Sequence, residues 1–146
     1  MDNVLFPSLY EEDYILRSLG SIVTQPDVAL TELVANAWDA GASHVTLSIP
    51  EEKNQLLYIE DDGVGMSELE FQHHWMTLRY NRLKEQGRNV IFPNGEKGNR
   101  CAFGRNGVGR HGLFCFGNEY KVITIKDGKK LTFKIKPNVE SQPFAV

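Results

Sequence analysis

The sequence predicts one mixed α/β domain, and three observations carry that expectation. A helical period runs from Pro26 to about Ala40, with Leu30, Leu33, Val34 and Ala37 on one stripe. Alternation from His44 to Ile49 puts Val45, Leu47 and Ile49 on one strand face. Asp127-Gly128, between the strand signals of Glu119–Lys126 and Lys130–Lys136, marks a two-residue hairpin turn. A chain of 146 residues is long enough to bury a core of its own.

The remaining elements follow in order. Ser8 and Glu11 have capping-box spacing, which opens a helix from about Leu9 to Leu19, stopped by Gly20. Pro26-Asp27 opens the second helix and Gly41 ends it. Leu56–Glu60 reads as a strand paired in a hairpin with the strand before it. Ser67 and Glu70 form a second capping-box pair, opening a helix to about Leu78 whose Leu69, Phe71, Trp75, Met76 and Leu78 can pack inward. Residues 79–103 have no clean period and read as a lid over a ligand. Val108–Phe116 reads as a short apolar helix, and the tail from Pro137 as extended or frayed.

Charge is unevenly placed. Residues 1–78 carry a net charge of −12, residues 79–110 carry +6 and residues 111–146 carry +3. The basic stretch suits an anionic ligand, a solvated loop or a nucleic acid. No apolar run is long enough for a membrane span, and the N-terminus lacks a secretory layout. Two cysteines without a CxxC fit reduced thiols in a cytoplasmic protein. The adjacent His73 and His74 point about 100° apart on a helix, and Cys101, His111 and Cys115 lack zinc spacing.

Three stretches carry chemistry. Gly104-Arg105-Asn106-Gly107-Val108-Gly109-Arg110-His111-Gly112 stands before an apolar run. Free amides at such a turn favour a phosphate, and a bare surface loop is the alternative. No Gly-Lys-Ser/Thr follows, and the spacing is not that of a dinucleotide loop. On the second helix, Glu32, Asn36 and Asp39 share a sector away from the apolar stripe. They form either a solvent face or a carboxylate and an amide aimed into a cleft. There the Asn oxygen can ligate Mg²⁺ and the Glu can accept a proton from water. Asp61-Asp62-Gly63-Val64-Gly65-Met66 places a carboxylate at a strand end. An ionised Asp is an acceptor, able to take a hydrogen from the exocyclic amine of adenine; a tight Asp-Gly turn is the alternative.

In this order the three stretches resemble the GHKL ATPase superfamily of gyrase B subunits, ninety-kilodalton heat-shock chaperones, histidine kinases and MutL. Glu32–Ala42 resembles the N box, Asp62–Met66 the first glycine box and Gly104–Gly109 the second, which is closest to the chaperone form. The resemblance covers roughly residues 25–135. It implies the Bergerat fold: a two-layer α/β sandwich, with a mixed and mostly antiparallel sheet, helices on one face and an ATP lid at 79–105. It implies ATP and Mg²⁺ as ligands. Asp62 is then the adenine reader, with Gly65 and Met66 lining the pocket. Asn36 ligates the metal, Glu32 is the catalytic base and Asp39 shapes the pocket from behind. Gly107, Val108 and Gly109 supply phosphate-binding amides, and Gly104, Arg105, Asn106 and Arg110 also line the nucleotide site.

The resemblance further implies slow ATP hydrolysis, as in the chaperone, MutL and MORC-like branches. Residues 1–146 then form one ATP-binding domain, a fragment of a larger protein. Further domains of the same chain and an ATP-dependent homodimer are its expected partners, with no membrane. Arg110-His111 departs from the chaperone pattern of aromatic and small residues. Arg82, Lys84, Lys97 and Arg105 all compete for the role of a lid lysine. The family's later strands, with a threonine near the base of the sheet, find no counterpart before Val146. A nucleic-acid-binding module using residues 79–110 and a histidine-kinase-like catalytic domain are the rival readings.

Overall fold

In the computed structural model, which describes residues 14–104, 107–137 and 144–145, the chain opens with α1 (Tyr14–Leu19) and a 3-10 turn (Gly20–Val23). The first capping-box pair, Ser8 and Glu11, lies outside the described residues. Next comes α2 (Pro26–Asp39), with proline at its first position and Asp27 in its first turn, where each suits the helix start. It stops at Gly41, whose φ is +74°. There the amides of Gly41 and Ala42 close back on the carbonyls of Trp38 and Ala37, both at 3.1 Å.

The buried stripe of α2 is rotated from the expected one. Ala29, Leu33 and Ala37 are buried, whereas Val34 is 43% exposed. Gly112 lies against Ala29, so the covered face swings toward the start of the helix. At about 100° per residue, that brings the stripe up to Glu32 and Asn36, which border it and are half-buried.

Strands β1 (Val45–Ser48) and β2 (Tyr58–Asp61) form the expected antiparallel hairpin, with Val45 opposite Asp61. The second capping box closes as expected: Ser67 Oγ accepts from Glu70, and the Glu70 carboxylate accepts from the Ser67 amide at 2.7 Å. The helix it opens is shorter than expected. Three residues, α3 (Glu68–Glu70), give way to a π turn (Phe71–Trp75), closed by the Met76 amide on the Phe71 carbonyl. Phe71 is buried, while Leu69 and Leu78 face solvent.

Residues 79–103 hold more structure than their missing period implies. Asn81 caps α4 (Arg82–Gln86) by accepting from the Lys84 amide at 3.1 Å. A hairpin follows, β3 (Asn89–Ile91) with β4 (Lys97–Cys101). It is pressed onto the end of α2, where Gly41 touches the Ile91 backbone so closely that a side chain would not fit. Arg100 Nη1 donates to the Ala42 carbonyl at 2.6 Å, and its guanidinium stacks 4.3 Å from the Trp38 ring centre.

A 3-10 segment (Gly109–Cys115) stands where an apolar helix was expected. Strands β5 (Tyr120–Lys126) and β6 (Lys129–Pro137) pair antiparallel around Asp127-Gly128. Both turn residues have positive φ, as a twisted two-residue hairpin requires. Within the expected tail, β7 (Phe144–Ala145) pairs with β6. The architecture is therefore mixed α/β with antiparallel ladders, consistent with the Bergerat fold.

One face of β5–β6 carries the core. Tyr120 and Ile135 are buried with Leu19, Phe71 and Phe114, and Val122 and Phe133 pack beside them. The rings of Phe71 and Phe133 stack at 3.6 Å. The other face is open, with Ile123 and Ile125 about 60% exposed. Among the described residues no helix is long and apolar enough to cross a membrane. Ile135→Ala is expected to cost about 2–5 kcal/mol in urea unfolding and Ile123→Ala less than about 0.5 kcal/mol. Equal losses would mean that both faces of the ribbon are covered.

Candidate functional site

One face of α2 organises the site. Glu32, Asn36 and Ala40 recur every fourth residue and so line one side of the helix over about 12 Å. The first glycine box sits on the Ala40 end. A Cβ at Gly63 would lie 2.7 Å from the Ala40 methyl and 2.8 Å from its carbonyl, and the Val64 amide donates to that carbonyl at 2.9 Å. The second glycine box sits on the Glu32 end, where Gly109 touches the Glu32 carboxylate so closely that a Cβ would overlap it. Asn36 lies between the two contacts. Its Nδ2 is buried and finds no hydrogen-bond partner among the described residues.

Asp39 fastens the second box to the same helix. Its carboxylate accepts from the amides of Phe103 at 2.6 Å and Gly104 at 2.8 Å, and Arg82 Nε stands 3.8 Å away. Arg105 and Asn106 lie outside the described residues. Gly107 meets the backbone of Tyr80 at a φ of +61°, with no room for a side chain. Val108 packs on the core.

The two aspartates at the end of β2 point in opposite directions. Alternation along the strand puts Asp61 on the face of Ile59 and sends Asp62 to the other. Asp62 Oδ1 accepts from the amides of Ser43 at 2.7 Å and His44 at 2.8 Å, while its Oδ2 meets Ser43 Oγ at 2.9 Å and His44 Nδ1 at 3.2 Å. These bonds tie the strand end to the start of β1. The His44 amide is the largest cause that holds the Asp62 carboxyl well below the usual range, helped by Ser43 and the His44 ring. Asp61 is the carboxylate beside the helix. Its Oδ1 accepts from the Gly63 amide at 2.9 Å and, like the Ala40 methyl, lies 2.7 Å from where a Gly63 Cβ would stand. Of the two, only Asp61 shares its surroundings with α2.

Gly65 and Met66 lie against β5. The Met66 amide donates to Thr124 Oγ1 at 2.7 Å, and Gly65 packs on the Ile125 carbonyl. Thr124 is a buried threonine at the first glycine box, on the core-facing side of β5 with Tyr120 and Val122. Lys126, two residues on, bonds the Glu70 carboxylate at 2.7 Å and so ties β5 to the helix after the first box. Burial acts to raise the Glu70 pKa, but Lys126 and Ser67 hold it at about 2.

His111 is buried, and its ring Nδ1 lies 2.8 Å from Tyr120 Oη, which also accepts from Trp75 Nε1 at 3.2 Å. Burial, then the neighbouring Arg110, push its pKa down to about 3, so the ring is neutral. His111 thus shares a hydrogen bond with Tyr120 inside the core. Arg110 stacks 5.3 Å from the Tyr80 ring centre, and its pKa falls to about 10 chiefly through burial, so it stays charged at neutral pH.

Among the described residues no three His, Cys, Asp or Glu side chains cluster as a metal cage would need. Asn36 fits Mg²⁺ in another way: its side chain offers one amide oxygen to the ion, and its buried, unpartnered Nδ2 is a donor left for an acceptor. Mg²⁺ commonly takes one or two protein oxygens and completes its shell with phosphates and water.

The profile of the family described as "Histidine kinase-, DNA gyrase B-, and HSP90-like ATPase" matches residues 23–143. A "Putative type II restriction enzyme HgiDII" of Herpetosiphon aurantiacus is 32% identical over 97 residues, which is 66% of this chain and 14% of that protein. The "DNA mismatch repair protein MutL" of Prosthecochloris aestuarii is 47% identical over 51 residues, 35% of this chain and 8% of the relative. The protein of that name from Parabacteroides distasonis is 39% identical over 68 residues, 42% and 11% of the two chains. The chain therefore spans a small part of the length of these relatives.

The depressed Asp62 pKa sets a pH dependence. A lowered folded-state pKa adds stability that is complete above the ordinary value of 3.8 and is lost as pH falls toward the folded value. The stability gap between the parent protein and Asp62→Asn should shrink between about pH 6 and about pH 2 in urea titrations. A gap that stays constant would show that the Asp62 charge does not hold the strand ends.

Proposed function

Because the chain belongs to the histidine kinase-, DNA gyrase B- and HSP90-like ATPase family, we propose that it is the Mg-dependent ATP-binding and slow ATP-hydrolysing module of a longer switch protein. The observation that carries this reading is the convergence of both glycine boxes on one face of α2, with Asn36 between them. The 12 Å or so of helix between the two contacts suits a ligand with a base at one end and phosphates at the other.

The adenine end is Asp61, Gly65, Met66 and Thr124. Asp61 replaces Asp62 as the group that accepts from the adenine amine. Counting back from Gly63 and Gly65 also makes Asp61 the first residue of D-x-G-x-G. The amides from Gly107 to Gly109 face the phosphates, while Asp39 holds Gly104 and so fixes where that turn begins. Mg²⁺, held by the Asn36 amide oxygen, would neutralise phosphate charge. Glu32 orients a water and accepts its proton as the water oxygen bonds to the γ-phosphorus. The bond from that phosphorus to the bridging oxygen breaks, and ADP leaves with the electron pair. The glycine-turn amides stabilise the charge that develops on the leaving diphosphate.

The chaperone, MutL and MORC-like branches are favoured over the histidine kinases, because a Glu four residues before the Asn serves water activation. Similarity to mismatch-repair proteins and to a putative restriction enzyme suggests that the module drives DNA-directed work elsewhere in a larger cytoplasmic protein, through an ATP-dependent homodimer. The rival reading, nucleic-acid binding by residues 79–110, has less support. Arg82 is engaged with Asp39, and Arg100 with Trp38 and Ala42.

Asp61→Asn should weaken ATP binding by roughly tenfold or more in calorimetry, while Asp62→Asn leaves it near the parental value. The reverse order would return the adenine contact to Asp62. Glu32→Ala should keep ATP affinity within a few fold and abolish phosphate release. Undiminished release would remove Glu32 from the role of base.

A further inference from the structure

We propose that Arg110 is a phosphate-reading cation held in reserve on Tyr80, and that phosphate binding, by drawing it off that ring, loosens the segment that carries α4. This deepens the ATP-binding reading and rests on it. Arg110 follows Gly109 directly, and Gly109 is the glycine that lies on Glu32. Its guanidinium is half-buried, stays charged, and has no carboxylate within ion-pair distance among the described residues. A desolvated cation without a counter-charge is a costly arrangement, tolerated here through the π face of Tyr80. A phosphate offers the same guanidinium a full opposite charge and paired hydrogen bonds.

Two of the other described arginines, Arg82 and Arg100, are committed elsewhere. Arg82 faces Asp39 and donates to the Gly87 carbonyl at 3.1 Å. Arg100 bonds the carbonyls of Trp38 and Ala42. The stack on Tyr80 therefore links the second glycine box to one particular place. Tyr80 sits two residues before α4, its backbone meets Gly107, and its ring lies 5.0 Å from that of His74. At the far end of α4, Gln86 Nε2 lies 3.0 Å from His74 Nδ1. Burial lowers the His74 pKa, Glu70 opposes that shift and Arg110 adds to it. Arg110, Tyr80, His74 and Gln86 thus form one chain of contacts from the glycine turn to both ends of α4. Removing the guanidinium from its first link unloads the rest.

The test compares the parent protein with Arg110→Gln and Arg110→Lys. Calorimetry uses ATP, ADP, adenosine and tripolyphosphate, and hydrogen exchange is followed at the amides of residues 82–86. Arg110→Gln is expected to lose about tenfold or more in affinity for ATP, ADP and tripolyphosphate, and to keep its affinity for adenosine. Arg110→Lys should retain part of the phosphate-dependent affinity. ATP, but not adenosine, should speed exchange at 82–86 in the parent, and this difference should vanish in Arg110→Gln. An equal loss for adenosine, or unchanged ATP and tripolyphosphate affinity, would overturn the proposal. So would exchange at 82–86 that responds to ATP in the Gln variant as in the parent. A parent protein that binds no adenine compound would sink the ATP reading instead, and the tripolyphosphate comparison would still decide the role of Arg110.

Discussion

The pair of hydrogen bonds from Phe103 and Gly104 to the Asp39 carboxylate is the constraint on which the site depends. A carboxylate on a helix accepts two successive amides from a segment more than sixty residues away in sequence. Amide bonds to an ionised acceptor are stronger than neutral ones, and two of them fix orientation as well as distance. With Gly104 pinned at this point, the chain has only a few residues in which to reach Gly109. The packing of Gly109 on Glu32 follows from that short span. Asp39 thus sets where the second glycine box begins along α2.

The first glycine box is fixed by different means. Its backbone is trapped between Ala40 on the helix and Thr124 on β5, with the Val64 amide bonded to one and the Met66 amide to the other. The two boxes are therefore located independently, one by charge and one by backbone packing between layers. The Asp39 anchor also touches α4, whose Arg82 Nε stands 3.8 Å from the carboxylate.

Much of this was legible in the sequence, and the gaps have physical causes. The 3.6-residue period gave α2 its length, and the Ser67–Glu70 capping box and the Asp127-Gly128 turn formed where their chemistry required. Leu33 and Ala37 of the expected α2 stripe are buried, but Ala29, whose apolar signal is weak, takes the place of Val34 where Gly112 packs on the helix. Asp62 drew the adenine role because it adjoins Gly63, although strand alternation and the D-x-G-x-G count both favour its neighbour. Residues 79–103 show no period because their elements, of three to five residues, are too short to carry one. His111, a departure in the motif, answers to Tyr120, a partner that no local pattern announces.

The hairpin of β3 and β4 has a further consequence. Its Ile91-Phe92 end is wedged against Gly41 at the end of α2 and lies under the Arg100 guanidinium, while the turn at residues 93–96 is solvent-exposed. Extra residues inserted at that tip would add only loop-closure entropy, about 0.6 kcal/mol for each doubling of loop length. They would disturb none of the contacts that seat the two glycine boxes. The tip is thus a neutral graft point, where this chain can gain a binding appendage without retuning its nucleotide site.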